Sequence, residues 1–237
     1  MTFLASLLAV LSMAGAHHPL AGAVVGIDPG HNGGNSSDPS FINQPVWNGR
    51  ESEACDTTGT ETNAGYTEAR FNFNVAMYLR AYLLREGAKV VMTRKTNHGV
   101  GPCIDRRAQI LNRAHADVAI DIHADGGPAS GRGVAILTPV PDGPNDKVIA
   151  SSHRFGRILL HRYTLLTGIP VSNYDGSNGF APRNNLAGLN LTTVPKVLIE
   201  CVNMRNAADA GRLVKPSFQK LAAKSMAEAI TGFLRSR

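Results

Sequence analysis

With 237 residues, the chain has room for one domain or at most two small ones. Its 43% hydrophobic and 18% charged residues permit a full core and exclude a disordered tail. The net charge of +6 suits an anionic partner, such as nucleic acid, a membrane surface or a bacterial wall polymer. Because its Lys and Arg residues are scattered singly, without aromatic interleaving, we expect no nucleic-acid partner, and solubility alone is the other explanation of the charge.

Residues 1–23 have the composition of a signal peptide. The apolar stretch 3–13 is too short to span a bilayer, and Ala14-Gly15-Ala16 and Ala21-Gly22-Ala23 both fit an A-x-A cleavage pattern. No Lys or Arg precedes the apolar stretch, so a buried N-terminal helix is the alternative. No later stretch is predicted to cross a membrane. We expect an exported, monomeric protein of the periplasm, cell wall or extracellular space, with one catalytic domain over residues 24–237.

Apolar strand patterns alternate with helical patterns along the rest of the chain, which indicates a single α/β domain. Residues 32–65 are rich in Gly, Asn, Ser and Thr and predict a long loop, of a length that is uncommon unless functional. Residues 171–190 are also predicted to be irregular. In chain order we predict a strand at 24–27, a helix at 66–85, a strand at 89–92, a helix at 104–114, strands at 118–122 and 133–137, a helix at 148–166, a strand at 197–200 and a helix at 218–234.

Three cysteines are present, and export permits a disulfide between two of them. Cys55 and Cys103 lie in polar stretches that contain Gly and Pro, whereas Cys201 follows an apolar run. We predict a Cys55–Cys103 disulfide, which would close a long loop and stabilise the fold by about 4 kcal/mol, with Cys201 a semi-buried free thiol. The alternative is three free thiols in a reducing compartment.

Glu68 lies near the start of the helix predicted at 66–85, on its apolar face. Phe71, Val75 and Leu79 follow it at offsets that place them on the same face. A carboxylate buried there needs a partner, because burying it alone is costly. A metal ion is one such partner, and the N-terminus of the helix itself is the other.

Three residues of catalytic type stand where predicted strands end. His31 follows the first strand, His123 the third, and Glu200 ends the last. In open α/β sheets, ligands gather outside the carboxyl ends of strands. Two imidazoles and one carboxylate make a zinc site with an open position, where a water becomes a nucleophile. Glu200 is then available as the base for that water and the acid for the leaving amine.

An ordered set of segments resembles the zinc-dependent N-acetylmuramoyl-L-alanine amidases of the amidase-3 type. The segments are Val25-Gly26-Ile27-Asp28-Pro29-Gly30-His31, Glu68 opening a helix that carries Asn74, Ile122-His123-Ala124-Asp125, and Leu198-Ile199-Glu200. The resemblance runs from about Val24 to the C-terminus. The long loop, the Cys55 and Cys103 pair and residues 125–132 look closest to small single-domain mycobacterial amidases.

This resemblance implies a central, mostly parallel, six-stranded sheet flanked by helices. It implies one zinc ion bound by His31, Glu68 and His123, with Glu200 as the catalytic acid and base. The implied reaction is cleavage between the lactyl group of muramic acid and the L-alanine of the stem peptide, in peptidoglycan or muropeptide fragments. We expect no wall-binding repeat beside the catalytic domain, so the basic surface is the candidate for binding the cell wall.

Two positions depart from the pattern of the family. Asp121 stands where the family usually has Ser, and Cys201 with Val202 stands where a small residue and an aromatic are usual. We expect these departures to affect rate or substrate range rather than the chemistry. Arg183 is a candidate contact for a stem-peptide carboxylate, or else an exposed loop charge. Two other functions stay open, a non-enzymatic wall-binding or regulatory protein and a zinc peptidase or deacetylase on a different amide.

Overall fold

The computed structural model describes residues 18–236 and contains a six-stranded sheet and a two-stranded hairpin. The strands are β1 (Val24–Pro29), β2 (Pro45–Trp47), β3 (Ser52–Ala54), β4 (Lys89–Met92), β5 (Val118–Asp125), β6 (Ala135–Pro139), β7 (Phe180–Arg183) and β8 (Lys196–Asn203). The large sheet has the order β4-β1-β5-β8-β6-β7, and every neighbouring pair is parallel except β6 with β8. The predicted α/β class and mostly parallel sheet are confirmed.

Helices cover both faces of this sheet. They are α1 (Pro39–Ile42), α2 (Glu68–Arg85), α3 (Ile104–Arg113), α4 (Ile149–Thr167), α5 (Ala187–Asn190), α6 (Ala207–Leu213) and α7 (Pro216–Arg235). The long helices α2, α4 and α7 pack together on one face, which we call the core face, and α3 and α5 lie on the other, the cleft face. The core face therefore holds most of the apolar interior.

Strand alternation sends neighbouring residues of β5 to different faces. Val118, Ile120 and Ile122 belong to the large core cluster, together with Phe71 and Leu79 of α2. Full burial of a Leu, Ile or Phe side chain contributes about 1.5–3 kcal/mol, so this face dominates the stability of the fold. Ala119, Asp121 and His123 alternate with them and point to the cleft face.

Several elements differ from the sequence-based prediction. Strand β5 extends to Asp125 and β8 to Asn203, so His123 and Glu200 lie inside strands rather than at their ends. The stretch 171–190 is not uniformly irregular, because it contains β7 and α5. Strand β7 lies at the edge of the sheet and pairs with one neighbour only, so Pro182 does not interrupt hydrogen bonding to strands on two sides. Helix α6 was not predicted.

The predicted signal peptide, residues 1–23, lies outside the described residues except for 18–23. Within that short part, Leu20 is buried in the core, and its backbone N–H donates to the carbonyl of Glu86 at 2.9 Å. No helix within residues 18–236 combines the length and the apolar character needed to cross a bilayer.

Candidate active site

His31 lies two residues after the end of β1 in a left-handed backbone conformation, with φ of 55°. Its Nε2 lies 3.3 Å from Oε2 of Glu68, and its Nδ1 lies 3.2 Å from Oδ1 of Asp56. Burial lowers the pKa of His31, but the carboxylates of Glu68 and Asp56 outweigh it and raise the pKa to about 9. Each ring nitrogen of His31 therefore faces a carboxylate.

His123, on β5, repeats this arrangement. Its Nδ1 lies 2.8 Å from Oε1 of Glu68, and its Nε2 lies 3.2 Å from Oδ1 of Asp121. Burial lowers the pKa of His123, but Asp121 and Glu68 outweigh it and raise the pKa well above its usual value. The ring lies against the backbone of Gly30, where a Cβ atom would come within 2.1 Å of Cε1. Glycine at that position makes room for the imidazole.

Glu68 is the first residue of α2 and lies between the two imidazoles. Its Oε2 accepts a hydrogen bond from the backbone N–H of Thr60, and its Oε1 accepts one from the side chain of Asn72. Burial raises the pKa of Glu68, but His31 and His123 outweigh it and hold the pKa well below its usual range. Glu68 occupies the first helical turn as well, so the helix terminus and the imidazoles both stabilise its charge.

The structure brings these three predicted ligands together. Among residues 18–236, His31, Glu68 and His123 form the group that can hold a metal ion, with one donor atom from each within 4.8 Å of the others. The ring nitrogens turned away from Glu68 face Asp56 and Asp121. Histidines that bind metals usually have such a carboxylate partner on the second nitrogen, which fixes the tautomer. The donor set and its surroundings fit a metal centre.

Glu200 lies beside this group but is not part of it. It is the register partner of His123 on the neighbouring strand, and its Oε2 is buried without a hydrogen-bond partner among the described residues. Burial raises the pKa of Glu200 to about 8, and Glu68 and Asp125 add to the rise while His123 opposes it. An unpaired buried carboxyl next to a possible metal site has the properties of a general acid or base.

A cavity of ≈ 250 Å³ opens beside the two histidines on the cleft face. His31 and His123 lie in its lining, and residues 53–57 of the long loop contribute Glu53, Ala54, Asp56 and Thr57 to one wall. Leu186 and Leu198 contribute apolar surface opposite the polar groups. A small amphipathic ligand therefore has access to the group of possible metal ligands.

Comparison with known proteins agrees with this geometry. The sequence profile of the Amidase_3 family, N-acetylmuramoyl-L-alanine amidase, matches residues 25–232. The chain belongs to this family. An N-acetylmuramoyl-L-alanine amidase of Mycobacterium tuberculosis is 37% identical over 220 residues, which cover 92% of this chain and 89% of that protein. This chain is thus a peptidoglycan amidase.

Solved structures of related amidases have the same fold. The N-acetylmuramyl-L-alanine amidase Ami1 of Mycobacterium smegmatis superimposes with a TM-score of 0.87 at 36% identity, over 92% of this chain and 99% of that one. The apo form of Ami1 from Mycobacterium abscessus gives a TM-score of 0.85 at 37% identity, over 91% of this chain and 100% of that one. The predicted likeness to mycobacterial amidases is confirmed.

The cysteines of this amidase pair as predicted. Cys55 and Cys103 form a disulfide across a sequence separation of 48, and Cys201 is a free thiol. Cys201 is fully buried rather than semi-buried, and burial raises its pKa, so it is not a reactive nucleophile. The bridge ties the loop that walls the cavity to the start of α3.

Replacing both bridge cysteines, Cys55→Ser with Cys103→Ser, is expected to lower the free energy of unfolding by about 4 kcal/mol. The loop wall should also loosen, because Asp56, which contacts His31, is next to Cys55. Denaturant unfolding and the KM for a muramoyl peptide measure the two effects. The matched control is Cys201→Ser, which removes a thiol but no bridge. If neither stability nor KM changes in the double variant, the bridge does not hold this wall.

Arg183 is not brought into the candidate site. It ends β7 rather than lying in an irregular stretch, and its guanidinium contacts Asp175 at 3.0 Å. It is outside the lining of the cavity beside the histidines. A contact between Arg183 and the stem peptide therefore stays a prediction.

Several polar residues near the site were not found from the sequence. Asp28, Asp56, Arg107 and Lys196 are buried and form ion pairs on the cleft face. One signal was available: Lys196 directly precedes the apolar run of the last strand, and a cation buried there needs a partner. Nothing in the sequence spacing could identify that partner, because Asp28 lies 168 positions earlier.

Proposed function

We propose that this protein is a zinc-dependent amidase that cleaves the bond between the lactyl group of N-acetylmuramic acid and the L-alanine of the stem peptide. His31, Glu68 and His123 would hold one zinc ion. The observation that carries the proposal is the position of Glu68 between two imidazoles, each of which has an aspartate at its other nitrogen. This arrangement leaves one nitrogen of each ring and the carboxylate for a single ion.

A zinc ion held by His31, Glu68 and His123 would supply a Lewis acid, which would polarise the scissile carbonyl and lower the pKa of the nucleophilic water. Oε2 of Glu200 accepts the proton of the attacking water, because it is buried and makes no other hydrogen bond. The protonated Glu200 then donates to the amine of the departing L-alanine. Burial raises the pKa of Glu200, which favours the protonated carboxyl that forms in the first step and donates in the second.

The other residues orient the ligands. The backbone N–H of Thr60 and the side chain of Asn72 donate to Glu68 and fix the plane of its carboxylate. Asp56 accepts from His31, and Arg107 holds Asp56 at 3.0 Å. These contacts arrange the donor atoms before any ligand arrives, so that little reorganisation is needed during the reaction.

Export is part of the proposal. We infer that a signal peptide is removed after Ala16 rather than after Ala23, because Leu20 packs in the core and the N–H of Leu20 bonds to Glu86. Cleavage after Ala23 would remove that contact and leave β1 at the extreme N-terminus. The mature chain would act as a catalytic domain, and its positive net charge would favour anionic wall polymers.

Digestion of a defined muramoyl peptide, with and without a chelator, tests the proposed function. We expect release of an intact stem peptide that begins with L-alanine, loss of release after chelation, and recovery when zinc is restored. Mass analysis of the products identifies the bond. A product cut within the stem peptide would instead indicate a peptidase, and binding without any cleavage would indicate a wall-binding protein. Turnover that survives complete metal removal would overturn zinc dependence.

A further inference from the structure

A chain of buried charges links the two histidines on the cleft face of the sheet. From His31, contacts run through Asp56, Arg107, Asp28, Lys196 and Asp121 to His123. Each contact in this series is between 2.7 and 3.3 Å. The polar groups therefore form one continuous network that begins and ends on a possible metal ligand.

The end of this network at His123 is the most unusual part. Nζ of Lys196 lies 2.7 Å from Asp28 and 3.3 Å from Asp121, and the Lys196 side chain is 0% exposed. Oδ1 of Asp121 is buried and lies 3.2 Å from Nε2 of His123, an ion-pair distance, and it accepts no hydrogen bond from the described residues. Asp121 thus joins a fully buried lysine to the ring nitrogen that faces away from Glu68.

Stability alone is a weak reason for such a network. Burying ionised groups costs several kcal/mol each, and well-packed apolar residues of similar volume are often as stabilising as buried ion pairs. The three carboxylates of Asp28, Asp56 and Asp121 also outnumber the two cations of Arg107 and Lys196. One negative charge is left over within the network, and both of its ends face imidazoles.

We propose that Asp121 is a positioning residue for His123, and that Lys196 holds Asp121 in place. The contact of Asp121 with Nε2 would keep the proton on that nitrogen and leave Nδ1 free to bind the metal. Lys196, anchored by Asp28, would set the direction of the Asp121 carboxylate. This inference rests on the proposed function, because it assigns His123 to the metal. Asp121, a departure from the serine that is usual in the family, thereby acquires a role.

The test is the zinc affinity of the metal-free, full-length protein, measured by competition with a chelator of known affinity. Asp121→Ala is expected to weaken zinc binding by about 10–100-fold, the usual effect of losing such a partner. Asp121→Ser should recover part of the affinity, because its hydroxyl oxygen is still an acceptor on the same side of the imidazole. Lys196→Met should weaken zinc binding less than Asp121→Ala does. The double variant Asp121→Ala with Lys196→Met should weaken zinc binding no more than Asp121→Ala alone.

The matched control is Asp209→Asn. Asp209 is also a fully buried carboxylate in an ion pair, with Arg132 at 3.1 Å, but it belongs to no part of this network. We expect this variant to lower the melting temperature without changing zinc affinity. Parent-like affinity in Asp121→Ala would overturn the inference, and so would an equal loss in Asp209→Asn. If Asp121→Ala does not fold, zinc binding by Lys196→Met and Asp121→Ser provides the test instead. Parent-like zinc binding in Lys196→Met would contradict the role assigned to Lys196. Absence of zinc binding by the parent protein would refute the proposed function instead.

Discussion

Glu200→Gln is expected to reduce kcat on a muramoyl peptide by about 10²–10⁴-fold while the protein still binds one zinc ion. Glutamine keeps the size of the side chain but cannot take a proton from water or return it to the leaving amine. Glu200 lies beside His123 on the neighbouring strand and is not one of the three clustered ligands, so removing its charge should spare the metal. Steady-state kinetics and zinc content measure the two quantities on the same preparation.

The control for this variant is Glu228→Gln. Glu228 forms an exposed ion pair with Lys224 at 3.6 Å on α7, and such pairs contribute little to stability. It should leave kcat, KM and zinc content unchanged. Two results would contradict the role of Glu200. A kcat close to that of the parent would show that another group moves the proton, and loss of zinc would show that Glu200 is a ligand.

The sequence predicted the position of the candidate site better than the extents of its strands. Local apolar patterns identified β1, β5 and β8, and the rule that ligands gather at strand ends placed His31, His123 and Glu200 near one another. The apolar pattern of β5 stops at Ile122, where its pairing with β1 also ends, yet the strand continues to Asp125 because β8 still pairs with it there. Backbone pairing of this kind is tertiary and leaves no mark on the local pattern.

The surroundings of the ligands could not be predicted for a similar reason. The partners of Asp121 and Lys196 cannot be identified until parallel pairing puts β1, β5 and β8 side by side. Tyr174 is another example: it lies in a stretch predicted to be irregular, yet its ring occupies the space above Gly127 and Gly131. Buried polar partners that are distant in sequence need the three-dimensional structure, because spacing alone leaves many pairings open.

Gly30→Ala is expected to lower kcat/KM by about 10²-fold or more and to weaken zinc binding. A Cβ atom on residue 30 would lie 2.1 Å from Cε1 and 2.2 Å from Nε2 of His123, so the imidazole would have to move by more than about 1 Å. A displacement of that size at a catalytic group costs about 10²-fold in rate. Gly30 does not have a positive φ, so alanine introduces no backbone strain and the effect comes from the ring.

Gly211→Ala provides the comparison, because a Cβ atom there meets nothing within 4 Å. Gly211 lies within α6, where alanine should raise stability by up to about 1 kcal/mol without changing kinetics or zinc affinity. If Gly30→Ala retains parent-like kinetics and zinc affinity, the His123 ring either tolerates the shift or does not bind the metal. If Gly30→Ala folds normally but loses activity and binds zinc more weakly, the result would show that Gly30 sets the position of His123.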